Sequence, residues 1–176
     1  MASNRDKIKT IQFDSPLGTI TAAANNMGLI LVSFNDSEVE AKSIDTQYEN
    51  IGSSHLEMLQ IQLKEYFSGI RNVFELALQP TGTSFQQKVW SELKNIPYGE
   101  TCSYQQQANI LGDPKAIRAV ASANGKNHIA IIIPCHRVIG SNGSLTGYAG
   151  GLWRKKWLLE HEAKHSGQSY QSELGL

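Results

Sequence analysis

The stretch SYQQQANILGDPKAIRAVASANG, residues 103–125, sets two short helices back to back. Ser103 followed three residues later by Gln106 has the spacing at which a hydroxyl and a side-chain amide cap each other's backbone N–H. A helix is therefore expected to start here and to stop at Gly112. Asp113 predicts a second N-cap, with Pro114 in the first helical position and the helix running to Gly125. The same device recurs upstream in TSFQQKVWSELKNI (83–96). There Ser84 is the expected N-cap with Gln87 three residues on, Phe85, Val89 and Leu93 form the apolar stripe, and Pro97-Tyr98-Gly99 breaks the helix. Three short capped helices joined by tight turns and followed by strands describe a winged helix-turn-helix.

The last of these helices is small-sided, with Ala116, Ala119, Ala121, Ser122 and Ala123. An inward face of alanines means tight packing against neighbours. The outward face is nearly as bare, with only Lys115, Arg118 and Lys126 long and positive. Such a helix can lie close to a nucleic-acid backbone with Arg118 projecting from its middle.

Downstream, IAIII (129–133) is expected as a strand, followed by a Pro-Cys-His-Arg turn, the strand VIG and a hairpin-type turn at Ser141-Asn142-Gly143. LTGYAGG (145–151) reads as a glycine-rich loop able to fold over something. The final helix, LWRKKWLLEHEAKH, puts Trp153, Trp157 and His161 on one face with Leu158 and Glu162 beside it. Residues 166–176 are expected to be a disordered tail.

Upstream, IKTIQF, GTITAAA and LILVSF read as a β-meander with turns at Ser15–Gly18 and Asn25–Gly28. Residues 35–54 are polar and irregular. HLEMLQIQLKEYF spaces Leu56, Leu59, Leu63 and Tyr66 as one helix face, and VFELAL (73–78) reads as one more strand. Nothing in residues 1–79 gathers a catalytic constellation, so they read as a scaffold domain. Gln79-Pro80-Thr81-Gly82 is the expected linker to a second domain over 80–165.

The net charge of zero hides a split. Residues 1–79 carry six Lys+Arg against ten Asp+Glu, whereas residues 80–165 carry ten against five. A basic second half suits a polyanionic partner, though an ordinary solvated surface has the same balance. The opening MASNRDKIKT lacks the apolar stretch of a secretory signal. No apolar run approaches the roughly 18 residues of a membrane span. Two cysteines, Cys102 and Cys135, make no disulfide framework, and two reduced thiols are expected.

Cys135 and His136 stand side by side. A free thiol with a pKa of about 8.5 is only a few per cent thiolate at neutral pH. A partner that lowers the pKa by two units raises the reactive fraction roughly thirtyfold, about 2 kcal/mol of barrier. His136 can reach the sulfur directly or through one water, and a carboxylate behind the ring would fix its tautomer. Glu162, four residues after Leu158, is the candidate. Each residue has a plainer reading: Cys135 as a small hydrophobe, His136 as a turn residue, Glu162 as a solvated carboxylate, Asn127 as a loop residue. Spacing alone does not separate these. One Cys-His pair falls short of any zinc pattern, so no metal is expected.

IPCHRVIG, preceded by RAVASANGKN and followed by GYAGGLWRKKWLLEHE, resembles the O6-alkylguanine-DNA alkyltransferases. FDSPLGTI and EYFSGIRNVFELALQPTGTSFQQKVWSELKNIPYGETCSY extend the resemblance over nearly the whole chain. It implies an α/β fold with a ribonuclease-H-like amino-terminal domain and a winged helix-turn-helix domain carrying the site. It implies Cys135 as alkyl acceptor, His136 as the base acting through a water, Glu162 as its orienting carboxylate, and Asn127 as the holder of the site's turn. Tyr104 corresponds to the tyrosine beside the flipped nucleotide that can also protonate the leaving guanine. Arg118 corresponds to the arginine that fills the gap left by the flipped base, with Tyr104, Gln105, Ala119 and Ser141 as further DNA contacts. Val138, Tyr148 and Ala149 lie where the family forms its guanine pocket. The family's usual proline after the site asparagine is His128 here. The implied activity is single-turnover transfer of an alkyl group from O6-alkylguanine in double-stranded DNA by a cytoplasmic, nucleoid-associated monomer, without cofactor or membrane. Two other readings of the same residues are a winged-helix regulator with Cys135 as sensor and a cysteine hydrolase.

Overall fold

The computed structural model describes residues 8–34 and 53–167. The tail beyond 167, and all but the last two residues of the irregular 35–54 stretch, lie outside the described residues. The chain divides into two units with the boundary between Thr81 and Gly82.

In the first unit, β1 (Lys9–Ser15), β2 (Gly18–Asn25) and β3 (Gly28–Phe34) form the expected antiparallel meander. Both turns are built by side chains. Ser15 Oγ accepts from Leu17 N at 3.1 Å, and Asn25 Oδ1 accepts from Met27 N at 2.8 Å and Gly28 N at 3.1 Å. Helix α1 (Ser53–Phe67) packs on β2 and β3 through the predicted stripe, with Leu56, Leu59, Leu63 and Tyr66 all buried. Each such side chain contributes roughly 1.5–3 kcal/mol by leaving water. The VFELAL segment differs from expectation. Only Leu78 bridges β3, with Leu29 N donating to Ala77 O at 2.8 Å and Gln79 N to Leu29 O at 2.7 Å. At Glu75 the pairing is supplied instead by the buried Gln62 amide, which bonds both its N–H (2.8 Å) and its carbonyl (3.0 Å). Gly28 must lack a side chain, because a Cβ there would lie 2.4 Å from Ala77 O.

The second unit begins with α2 (Ser84–Leu93). Its N-cap is Thr83 with Gln86, one residue before the Ser84–Gln87 frame expected from sequence. Both frames satisfy the capping-box spacing, and the backbone is still extended at Thr83 (φ −63°, ψ 161°). After it, β4 (Cys102–Ser103) leads into α3 (Tyr104–Ile110), whose Ser103–Gln106 capping box is the predicted one. Helix α4 (Ile117–Gly125) starts three residues later than expected. Asp113 caps a turn rather than the helix, accepting Lys115 N on its side chain (3.0 Å) and Ala116 N on its carbonyl (2.9 Å). Trp90 of α2 donates to Ala123 O at 2.8 Å, and buried Asn124 donates to Gln107 Oε1 at 2.8 Å, so α2 and α3 both fasten to α4.

The IAIII run is no strand. Residues 129–133 coil through successive turns, with Ile132 N donating to Ala130 O at 2.9 Å and Ile133 N to Ile129 O at 3.0 Å. Ile131 takes φ +70°, the left-handed region, alone among described non-glycine residues. The isoleucines are nonetheless buried. A run that is apolar at every position carries no period, so it marks burial without marking a strand. A 3₁₀ turn (Cys135–Arg137) then runs into β5 (Val138–Ile139), which pairs in parallel with β4. The 141–143 turn forms, Gly140 N donating to Ser144 O at 2.8 Å, but no second hairpin strand follows it in the described residues. The last helix is α5 (Leu152–His165).

Candidate active site

Asn127, just past the end of α4, organises the site. Its carbonyl oxygen accepts from Ile129 N at 2.9 Å, and its amide nitrogen donates to Ile133 O at 2.8 Å and to Cys135 Sγ at 3.2 Å. One side chain thus closes the 127–133 coil and touches the sulfur at its end. Pro134, which has no N–H to extend a ladder, delivers Cys135 to the start of the 3₁₀ turn.

His136 and Glu162 are both wholly buried, with His136 Nε2 2.7 Å from Glu162 Oε1. Burial holds the ring below its ordinary pKa, against the opposing pull of Glu162, so the ring is neutral near pH 7. Burial alone would raise Glu162, but His136 and the Arg137 guanidinium more than reverse this and keep the carboxyl well below its usual range. A neutral ring facing a carboxylate must carry its proton on Nε2, which leaves Nδ1 with a lone pair. Nδ1 is buried without a protein hydrogen-bond partner. No direct bond joins it to the sulfur, so of the two routes considered from sequence the direct one is not formed.

The thiol itself is pushed up by burial, while the Asn127 amide and then the Lys155 ammonium pull it down. No sequence motif singles out Lys155. It is wholly buried, donates to Thr146 O at 2.9 Å and stands 3.4 Å from the Tyr104 hydroxyl, and burial lowers its pKa to about 8 against the opposing effect of Cys135. Arg137 is likewise assigned no role by the sequence. Its Nε donates to Glu162 Oε2 at 2.8 Å, its Nη2 to Glu162 Oε1 at 3.0 Å and its Nη1 to Ile96 O at 2.6 Å. Both carried a signal: a cation inside a run of buried residues, and a lysine three and seven positions before the buried Leu158 and Glu162.

The remaining candidates fall in two groups. Tyr104, the first residue of α3, donates from its hydroxyl to Thr146 O at 2.9 Å, which ties α3 to the glycine-rich loop. Tyr148 and Ala149 lie in that loop; Ala149 is exposed, and the Tyr148 hydroxyl is buried without a protein partner, its pKa raised well above the ordinary value by burial and by Cys135. Val138 is fully buried in β5. Arg118 and Ala119 are exposed on α4, and Ser141 is exposed in its turn. Gln105 donates to Asn109 Oδ1 at 3.0 Å and Pro114 O at 3.1 Å, bracing the turn that precedes α4. His128, in place of the expected proline, is exposed and lies edge-on to Trp90 with ring centroids 6.2 Å apart. Among the described residues no three His, Cys, Asp or Glu side chains gather as a metal site.

The chain resembles known proteins throughout. Residues 8–80 match the ribonuclease-like domain of 6-O-methylguanine DNA methyltransferase, and residues 84–164 match its DNA-binding domain. A methylated-DNA–protein-cysteine methyltransferase of Methanosarcina acetivorans is 47% identical over 150 residues, covering 85% of this chain and 95% of that protein. One of Mycobacterium tuberculosis is 46% identical over 149 residues, covering 85% and 88%. A crystal structure of Mycobacterium tuberculosis OGT in complex with DNA superposes with a TM-score of 0.75 at 44% identity, covering 90% of this chain and 93% of that one. Both halves of the family's architecture are present in order, and the chain belongs to the 6-O-methylguanine DNA methyltransferase family.

Proposed function

We propose that the chain repairs DNA by direct reversal, taking the alkyl group of O6-alkylguanine onto Cys135 in a single turnover. The observation that carries this is the buried Cys135 Sγ, held by Asn127 and followed in the chain by a neutral His136 whose Nε2 is committed to Glu162. His136 Nδ1 is the lone pair that takes the thiol proton, through a carrier between the two side chains. The thiolate attacks the alkyl carbon in line with its bond to O6. A sulfur–carbon bond forms, the carbon–oxygen bond breaks, and its electron pair leaves with guanine, which takes up a proton. Tyr104 supplies that proton after releasing Thr146 O, with Lys155 beside it to stabilise the phenolate. The product is a thioether that disulfide chemistry does not reverse, so each chain acts once.

The target base must leave the duplex stack to reach a buried sulfur. Arg118 and Ala119 on the exposed face of α4 enter the duplex, with Tyr104, Gln105 and Ser141 as backbone contacts. Val138, Tyr148 and Ala149 line the guanine pocket. Every group in this scheme lies between Tyr104 and Glu162 of one chain, so a monomer suffices. No described helix is long and apolar enough to cross a membrane. A repair protein works where its DNA is, and we place this one at the nucleoid in the cytoplasm.

The test is the intact mass of the protein after mixing with duplex containing O6-methylguanine. One methyl per chain on the peptide bearing Cys135, and no further turnover, is expected. Repeated turnover would instead favour hydrolysis, and a methyl on Cys102 would sink the assignment of Cys135.

A further inference from the structure

We propose that Arg137 is a positioning residue, held with the Pro97-Tyr98-Gly99 turn around Glu162, and that it decides which nitrogen of His136 carries the ring proton. The inference rests on the reading of His136 as the base. Glu162 is wholly buried and takes four donor contacts: His136 Nε2 (2.7 Å) and Arg137 Nη2 (3.0 Å) on Oε1, and Arg137 Nε (2.8 Å) and Gly99 N (3.2 Å) on Oε2. These fill the acceptor sites of an ionised carboxylate and leave no place for a proton of its own.

Without the guanidinium, burial favours the neutral acid. A protonated Glu162 would donate to His136 Nε2, which would then have to accept. In a neutral ring the remaining proton would move to Nδ1, and the nitrogen proposed to accept the thiol proton would become a donor. Arg137 thus acts on the chemistry through Glu162 and the ring, without touching the sulfur.

The fork is itself fixed. Its third arm donates to Ile96 O at 2.6 Å, and the guanidinium carbon lies 5.8 Å from the Tyr98 ring centroid. A lysine has no matching planar fork. Gly99, at φ +79°, brings its N–H to Oε2 because it has no side chain; a Cβ there would stand 2.5 Å from Ser166 Cβ. The other titratable groups felt at this pair are Tyr98 and Tyr148, both coupled to Glu162, and Lys155, which faces His136.

The experiment is ¹⁵N NMR of histidine-labelled full-length protein near neutral pH, without DNA, with the His136 ring assigned by its loss in His136→Gln. The Nε2–H tautomer is expected in the unsubstituted protein and the Nδ1–H tautomer in Arg137→Met. Single-turnover transfer from O6-benzylguanine should fall at least tenfold in Arg137→Met, with the acid limb of its pH profile moved upward. In a Glu162→Gln background, where no carboxyl can protonate, Arg137→Met should change the rate less than twofold. If Arg137→Met does not fold, Arg137→Lys and Gly99→Ala serve, each expected to populate the Nδ1–H form in part. A folded variant that keeps only the Nε2–H form, or an equal loss in both backgrounds, overturns the proposal. A tautomer shift in a protein that accepts no alkyl group would support this role of Arg137 while overturning the repair reading.

Discussion

Lys155 Nζ and the Tyr104 hydroxyl stand 3.4 Å apart and share one acceptor, the Thr146 carbonyl, at 2.9 Å from each. A buried cation therefore joins the loop bearing Tyr148 to the helix bearing Tyr104, and its charge also favours the Cys135 thiolate. Lys155→Met should raise the thiol pKa further, because the cation that favours the thiolate is lost, and slow transfer about tenfold near neutral pH. The rate of transfer from O6-benzylguanine, followed from pH 6 to 10, checks this: the ascending limb, where the thiolate forms, should move to higher pH in the variant. An unmoved limb would confine Lys155 to holding the loop.

The acid behaviour of the fold follows from His136. Its folded-state pKa lies below the ordinary 6.5 because burial disfavours the cation, so below that pH the unfolded chain binds a proton that the folded chain refuses. Stability is therefore full above about pH 6.5 and is lost as pH falls from there. Glu162, also depressed, adds a second loss below its ordinary range near 4.5. Thermal melts between pH 8 and 4 should show Tm falling in this window. The first part of the fall should be smaller in His136→Gln, and an identical slope in that variant would place the effect elsewhere.

Much of this site is legible in the sequence because its residues sit at element ends that have their own signals. Ser103 with Gln106 sets the start of α3 and hence the position of Tyr104, and the spacing of Leu158 and Glu162 marks the inward face of α5. The 129–133 run is ambiguous in the sequence because five consecutive apolar residues bury equally well in a strand or a coil, and the deciding contact comes from the Asn127 side chain. Arg137 and Lys155 are not legible in the sequence because their partners, Glu162 and Thr146, are brought to them only by tertiary packing. Their placement among buried residues was the available warning, since a buried cation requires a partner.

Arg118 is exposed on α4, whereas Cys135, His136 and Glu162 are buried, so its proposed task is confined to the duplex. Unstacking a base costs a few kcal/mol, and a side chain that fills the gap offsets part of it. Arg118→Ala should therefore lower transfer from duplex DNA on the order of tenfold or more. Transfer from free O6-benzylguanine, which needs no extrusion, should be unchanged. Equal losses on both substrates would remove Arg118 from base flipping.

The exposed face of α4 and its approach presents Lys115, Arg118 and Lys126 among Ala119, Ala121 and Ser122. Cations can pair with phosphates, but alanine and serine side chains offer little to base edges, so affinity for undamaged DNA should be weak and nearly independent of sequence. If each of the three cations displaces about one counterion, the logarithm of the association constant should fall with the logarithm of salt with a slope of about −3. Lys115→Ala should weaken binding to every duplex alike and reduce that slope by about one. Titrations of several unrelated duplexes between low and physiological salt would measure both. A single sequence bound about a thousandfold more tightly than the rest would indicate base readout of the kind a regulator needs. In that event α4 would have to be reread as a specificity element, and Cys135 as a sensor whose alkylation changes where the protein binds.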